Sequence, residues 1–251
     1  MIFRKIFTPL FSALIILFFL SAAADAGRDT ARNLAAAQDQ TRSVEDRLSA
    51  IHAMGQSGDE GYSEPLLRML KDKGENRRVR TGAVMSLAKL GKPRPKIIEA
   101  YEEVYRDRKT GENLRYTILL SLGTLKATES QTLIAEALSS GDDRIRFKAA
   151  QALGMIGGDE AVNLLVSRLE VERDRMVRAE IVRALARNES ASVESVLVRV
   201  LRSDPEPLVR YNAALCLTKF TSLSPEGREA LRAAGSDSSP MVRKAVGEVV
   251  R

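Results

Sequence analysis

Seven arginines, Arg47, Arg80, Arg115, Arg146, Arg178, Arg210 and Arg243, recur at intervals of 33, 35, 31, 32, 32 and 33 residues. That period is the length of a stacked helical hairpin and is far from heptad or strand spacing. The stretch 144–169, RIRFKAAQALGMIGGDEAVNLLVSRL, is the best copy: an Arg-led apolar segment, a Gly turn and a second apolar segment. Its first half returns as VRTGAVMSLAKLG from Val79, LRYTILLSLGTLK from Leu114, VRAEIVRALARN from Val177, VRYNAALCLTKF from Val209 and VRKAVGEVVR from Val242. A weaker copy, DRLSAIHAMGQSG, starts at Asp46.

Counting from each arginine fixes the register. The seventh residues are Met54, Leu87, Leu122, Leu153, Leu185, Leu217 and Val250; the third are Ala50, Ala83, Ile118, Ala149, Ile181, Ala213 and Val246. The sixth are small in most copies: Ala53, Ser86, Ser121, Ala152, Ala184, Cys216 and Val249. Such offsets share one face of a 3.6-residue helix, and small side chains there let a neighbouring helix approach. The pattern predicts an all-α fold, an α-solenoid (superhelix) of about six antiparallel helix-pair repeats over 43–251, closed by a C-terminal half-repeat from Pro240. A composition rich in apolar and charged residues, with 5% aromatics and no Trp, suits helices, and Asn-Gly hairpin signals are missing.

The first 26 residues read differently. Arg4 and Lys5 precede an apolar run at 6–20, and Ala24-Asp25-Ala26 offers small residues at the positions a signal peptidase reads. The expectation is a cleaved secretion signal and a periplasmic or secreted protein with no stable membrane span after cleavage. An uncleaved anchor is the alternative, weakened because the run is shorter than the ~20 residues a span requires. Residues 27–42 form a lead-in or an N-terminal cap.

The formal charge is +6, from 39 basic and 33 acidic residues that interleave along the chain. Acids sit just before the arginines: Glu75, Glu112, Asp142, Asp143, Asp174, Asp204, Glu206 and Asp237. An acid there caps the next helix and can bridge an arginine within its own repeat or the next, so the seven arginines read as a structural ladder. Cys216, the sole cysteine, stands in the small core column and reads as a buried thiol. His52, the sole histidine, stands in a variable column on a helix flank.

The phrase VRxxAxxALGxIG followed by DExAVxxLxxxL, seen over 145–169, resembles the HEAT-like repeats of the phycobilisome-lyase type, and the likeness covers 43–251. The resemblance implies antiparallel helix pairs whose second helices line a concave side, used as a protein-binding scaffold. It specifies architecture and leaves activity open. The repeated His-Glu pairs of the HEAT-repeat hydroxylases cannot be built from one histidine followed by Ala53. No GxSxG, HExxH, P-loop or dinucleotide fingerprint is present.

The reading is therefore a non-enzymatic, cofactor-free and metal-free scaffold that binds a protein or peptide rather than nucleic acid. Two positions before the last apolar residue of each second helix lie Arg68, Glu103, Glu136, Ser167, Arg199 and Glu229, the candidate partner-binding column. Their mixed charge suits a polypeptide better than a polyanion. One alternative is an accessory lyase-like subunit active only with a partner, around Tyr101, Glu102 and Tyr105. Another is nucleic-acid binding through Arg77, Arg78, Arg80, Lys92, Arg94 and Lys96.

Overall fold

A computed structural model of the chain describes residues 30–92 and 94–247. The expected secretion signal at 1–26 lies outside the described residues, as do Val249 and Val250 of the last core columns. Among the described residues there are helices, single 3-10 turns and no strand. The helices are α1 (residues 30–38), α2 (Val44–Gln56), α3 (Ser63–Lys71), α4 (Arg77–Leu90), α5 (Arg94–Arg106), α6 (Glu112–Thr124) and α7 (Gln131–Leu138). They continue as α8 (Asp143–Ile156), α9 (Gly158–Val171), α10 (Arg175–Leu185), α11 (Ala191–Ser203), α12 (Pro207–Leu217), α13 (Pro225–Ala233) and α14 (Pro240–Val246). Even-numbered helices from α2 to α14 are the Arg-led first helices of the repeats. Odd-numbered ones from α3 to α13 are the second helices.

Local chemistry explains where they start. The side chains of Ser43, Asn76, Asp142, Asp174, Ser190 and Ser224 accept backbone N–H groups at the starts of α2, α4, α8, α10, α11 and α13. Pro207, Pro225 and Pro240 occupy the first helical position, where no intrahelical N–H is lost. Gly91 ends α4 at φ 68°, and Gly157 turns α8 into α9 at φ 73°, a region costly for residues with a Cβ. Gly227 does not interrupt the second helix of repeat six. It lies in the first turn of α13, where its N–H reaches the Ser224 hydroxyl at 3.0 Å and a Cβ would meet the Glu194 carboxylate.

Packing divides the chain into two units, 1–97 and 98–251, with the boundary inside α5. In unit 1, α4 packs on both α2 and α3. Met54, Leu66, Leu70, Val84 and Leu87 are fully buried there, and Ala37 of α1 joins them. In unit 2, the core columns fall where the arginine register places them: Leu122, Leu153, Leu185 and Leu217 are 0% exposed. Each such side chain contributes about 1.5–3 kcal/mol by burial.

The small sixth column is what lets first helices touch. A Cβ on Gly123 would lie 2.9 Å from the Ala152 Cα, and one on Gly154 would lie 2.8 Å from the Ala184 Cα. In unit 1 a Cβ on Gly55 would come within 2.7 Å of the Ser86 Cα. In unit 2, α6, α8 and α10 thus pack almost backbone to backbone, and α10, α12 and α14 continue the layer in contact. Successive second helices, α7, α9, α11 and α13, touch far less. Two layers of rods with unequal spacing bend toward the closer layer, so within unit 2 the first helices face the inside of the bend.

Candidate functional site

The arginine ladder resolves into two kinds of contact. Six of the seven arginines donate to a carbonyl left over near the end of the preceding helix. Arg47 Nε reaches Ala37 O at 2.8 Å, Arg80 Nε reaches Leu70 O at 2.9 Å, and Arg115 Nε reaches Tyr105 O at 3.2 Å, always ten residues back. Arg146, Arg210 and Arg243 do this with Nη1, to Ser140 O at 3.0 Å, Asp204 O at 2.8 Å and Asp237 O at 2.6 Å. A cation there satisfies orphan carbonyls at the negative end of a helix dipole.

The second contact reaches forward to an acid. Arg47 holds Glu75 through two bonds of 3.0 and 2.5 Å, Arg146 holds Glu172 at 2.8 and 3.0 Å, and Arg210 holds Asp237 at 2.8 Å twice. Arg178 pairs with Asp204, while its buried Nε has no partner. Glu172 gathers the most donors. Besides Arg146 it accepts from Arg168 Nε at 2.8 Å and from the backbone N–H groups of Arg173 and Asp174 at 3.0 and 2.9 Å. Burial, which would raise its carboxyl, is outweighed by the Arg146 and Arg168 bonds, the Asp174 N–H and the charge of Arg146, leaving a pKa of about 2. The Arg210 bonds likewise hold Asp237 below the usual carboxylate range.

Sequence reasoning missed Glu172. It looked to Asp174 as the nearby acid, but Asp174 caps α10 through the N–H groups of Met176 and Val177. The signal was present in the spacing. Glu172, Asp204 and Asp237 each stand two residues before the N-cap of the next first helix and accept that residue's N–H. Ser140 holds the same place before Asp142 and accepts its N–H at 3.2 Å without a charge. Arg115 instead donates to Asp107 O at 3.0 Å and lies 5.8 Å from the Tyr105 ring centre.

The candidate column Arg68, Glu103, Glu136, Ser167, Arg199 and Glu229 is exposed throughout, on the outward surface of the second helices. Arg199 lies 3.7 Å from Glu170. Glu136, Ser167, Arg199 and Glu229 of this column stand on the second helices of unit 2, the layer whose members touch one another less. The inside of the bend carries other residues, at positions two before and one, five and nine after each ladder arginine. Tyr116, Leu120, Phe147, Met155, Tyr211 and Leu215 stand there half-buried, with Met176 50% exposed beside them. The signal missed was a second apolar stripe on helices already assigned one buried face.

Other features supply little chemistry. An open depression of about 710 Å³ is lined by Glu112, Asp142, Asp143, Arg144, Arg146 and Asp174 along the turn edge of unit 2, where Asp142 and Asp174 are helix caps, Arg146 is a clamp and Glu112 accepts from the Tyr116 hydroxyl at 3.3 Å. Cys216 is buried, its thiol reaches toward Val182 O at 4.0 Å, and burial pushes its pKa up to about 11. His52 is exposed, with its Nε2 at 3.1 Å from the Gln56 amide nitrogen. Among the described residues, no group of three His, Cys, Asp or Glu could hold a metal ion, and no helix is long and apolar enough to cross a membrane.

A family model described as HEAT repeats matches residues 106–186 and 165–251. A HEAT repeat-containing taxis protein of Halobacterium salinarum is 27% identical over 176 residues, which is 63% of this chain and 42% of that protein. The chain thus spans less than half the length of this curated relative. Among solved structures, an engineered protein aligns with a TM-score of 0.51 and 18% identity over 88% of this chain and 67% of its own. The complex of CpcE and CpcF of phycocyanin lyase from Nostoc sp. PCC7120 aligns at 0.49 and 19%, over 86% and 91%.

Proposed function

The chain belongs to the HEAT-repeat family, and we propose that it is a scaffold without catalysis of its own that docks a polypeptide on the inner face of unit 2. The observation that carries this reading is the half-buried apolar row Tyr116, Leu120, Phe147, Tyr211 and Leu215 on the first helices. Each helix already buries one apolar stripe, so a second one outside the core leaves apolar area for a partner to cover. The row is interrupted on α10, where Ala179 and Arg183 hold the same positions. The outward column on α7, α9, α11 and α13 is polar and mixed in charge, as a solvated face is.

The scaffold is exported in this reading. The support is the charged start, the apolar run at 6–20 and the Ala24-Asp25-Ala26 site. A mature N-terminus at Gly27 in protein recovered from cells is the expected result, and an intact Met1 in a cytosolic fraction would overturn export.

Site-directed photo-crosslinking tests the docking face. A photoreactive residue at Leu120 or Leu215 should capture polypeptide in the native compartment, and one at Ser167 or Glu229 should not. Capture from the second helices alone, or turnover of a small-molecule substrate by the purified chain, would refute the assignment.

A further inference from the structure

The junction between repeats three and four lacks the acid that the other clamps use. Arg47, Arg146, Arg178 and Arg210 each hold a carboxylate 26–28 residues further on, from Glu75, Glu172, Asp204 and Asp237. The corresponding residue for Arg115 is Ser140. Its Oγ accepts the Asp142 N–H, as Glu172, Asp204 and Asp237 accept the N–H two residues on. Arg115 donates Nε to Tyr105 O and one Nη2 hydrogen to Asp107 O. Its Nη1 and the Ser140 hydroxyl hydrogen reach no acceptor among the described residues. Arg47 makes the same Nε contact ten residues back and presents Nη1 and Nη2 together to Glu75. The outer edge of the Arg115 guanidinium is thus the edge that takes a carboxylate in Arg47.

We propose that Arg115 and Ser140 form a carboxylate-binding site, filled by an acid from outside the chain. The site belongs to the turn edge of unit 2 and does not depend on docking at the inner face. Neighbouring acids do not close it to an anion. Glu112 stands three residues before Arg115 and Asp142 caps the next first helix, and both accept from the Tyr116 hydroxyl. Asp143 and Asp174 hold those two places around Arg146, and Glu172 is ionised there with a pKa of about 2. A second cation like Arg168 is not required. Asp237 is held below the usual carboxylate range by Arg210 and the Ser239 N–H, although Asp204 and Glu206 act on the same guanidinium. Glu136, exposed one turn before Ser140, acts on Tyr105 by its charge and forms no ion pair with Arg115 among the described residues. Approach is open: a Cβ on Gly141 would have no atom within 4 Å, and Gly141 lines the depression of about 710 Å³. A carboxylate held there joins two repeats as Glu172 does, so its binding stabilises the fold.

An Asp or Glu side chain of a bound polypeptide and a free small carboxylate present the same group. The probes are acetate, N-acetyl-aspartyl-N-methylamide, its neutral asparaginyl counterpart and inorganic phosphate, each at about 50 mM against sodium chloride of equal ionic strength. Thermal melts of the full chain at neutral pH, followed by circular dichroism, should rise by about 2 °C or more in acetate and in the blocked aspartate, and not in the blocked asparagine. Ser140→Asp, which supplies its own carboxylate to Arg115, should melt at one temperature with or without the probes. Arg115→Met should lose the response too, and Ser140→Asp carries the test if that variant does not fold. A rise in both carboxylates admits an acidic side chain of a polypeptide, and a rise in acetate alone restricts the site to a free small carboxylate. No rise over chloride, or a rise that Ser140→Asp retains, would overturn the proposal. A rise in phosphate without one in acetate would overturn the carboxylate assignment.

Discussion

Glu172 is the strongest single test of how the repeats are joined. Its side chain is 1% exposed and accepts from Arg146, Arg168 and two backbone N–H groups, with a carboxyl pKa of about 2 against an ordinary 4.5. A depression of that size corresponds to about 3 kcal/mol of stability at neutral pH. The folded pKa lies below the unfolded one, so this contribution is complete above pH 4.5 and is lost as pH falls toward 2. Glu172→Gln should therefore cost about 3 kcal/mol at pH 7, since it also leaves a half-buried Arg146 without its counter-charge. Urea unfolding followed by circular dichroism at pH 7, 4 and 2.5 measures this, provided that the slope with urea is unchanged by the substitution. Wild type and variant should differ most at pH 7 and converge at pH 2.5. A loss below about 1 kcal/mol at pH 7, or a difference that does not shrink with acid, would show that the clamp is a solvated ion pair of the weak surface kind.

Other outcomes follow from the same geometry. Gly154→Ala should destabilise by about 1–3 kcal/mol, because its Cβ would lie 2.8 Å from the Ala184 Cα on the next first helix. Gly141→Ala, with no atom within 4 Å of a Cβ, should be neutral or stabilise by up to about 1 kcal/mol, and thermal melts of the two variants compare them. Ser140→Asp places a carboxylate where Asp204 and Asp237 stand in later repeats. It should add about 1 kcal/mol by pairing with Arg115, an increment that disappears in the Arg115→Met background. Cys216, buried with its thiol pushed up to about 11, should react with a thiol reagent at pH 8 only as fast as the protein opens. Prompt stoichiometric labelling of native protein would contradict its placement in the core column.

Much of the fold could be read without coordinates, because a solenoid repeats one local problem. Each repeat meets the same neighbours, so the arginine interval, the apolar seventh residue and the small sixth residue each report a contact made again in the next copy. Leu122, Leu153, Leu185 and Leu217 lie fully buried where the count put them. Cys216 was legible as a buried thiol for the same reason. Gly227, by contrast, answers a tertiary requirement: the residue that excludes a Cβ there, Glu194, comes from the neighbouring repeat.

The sequence by itself determined the helices, their caps, the repeat register and the identity of the buried columns. These follow from hydrogen bonding and apolar periodicity within about thirty residues. Only the tertiary structure decided which layer of unit 2 is the inner one and which acid each arginine holds. Glycine at 123 and 154 brings α6, α8 and α10 nearly backbone to backbone, while the close contact between second helices, Gly227 of α13 against Glu194 of α11, is made to a side chain. That difference in spacing bends the stack toward the first helices and turns Phe147 and Tyr211, rather than Ser167 and Arg199, to its inside. Such a choice is set by distances between repeats, and no periodicity within one repeat encodes it.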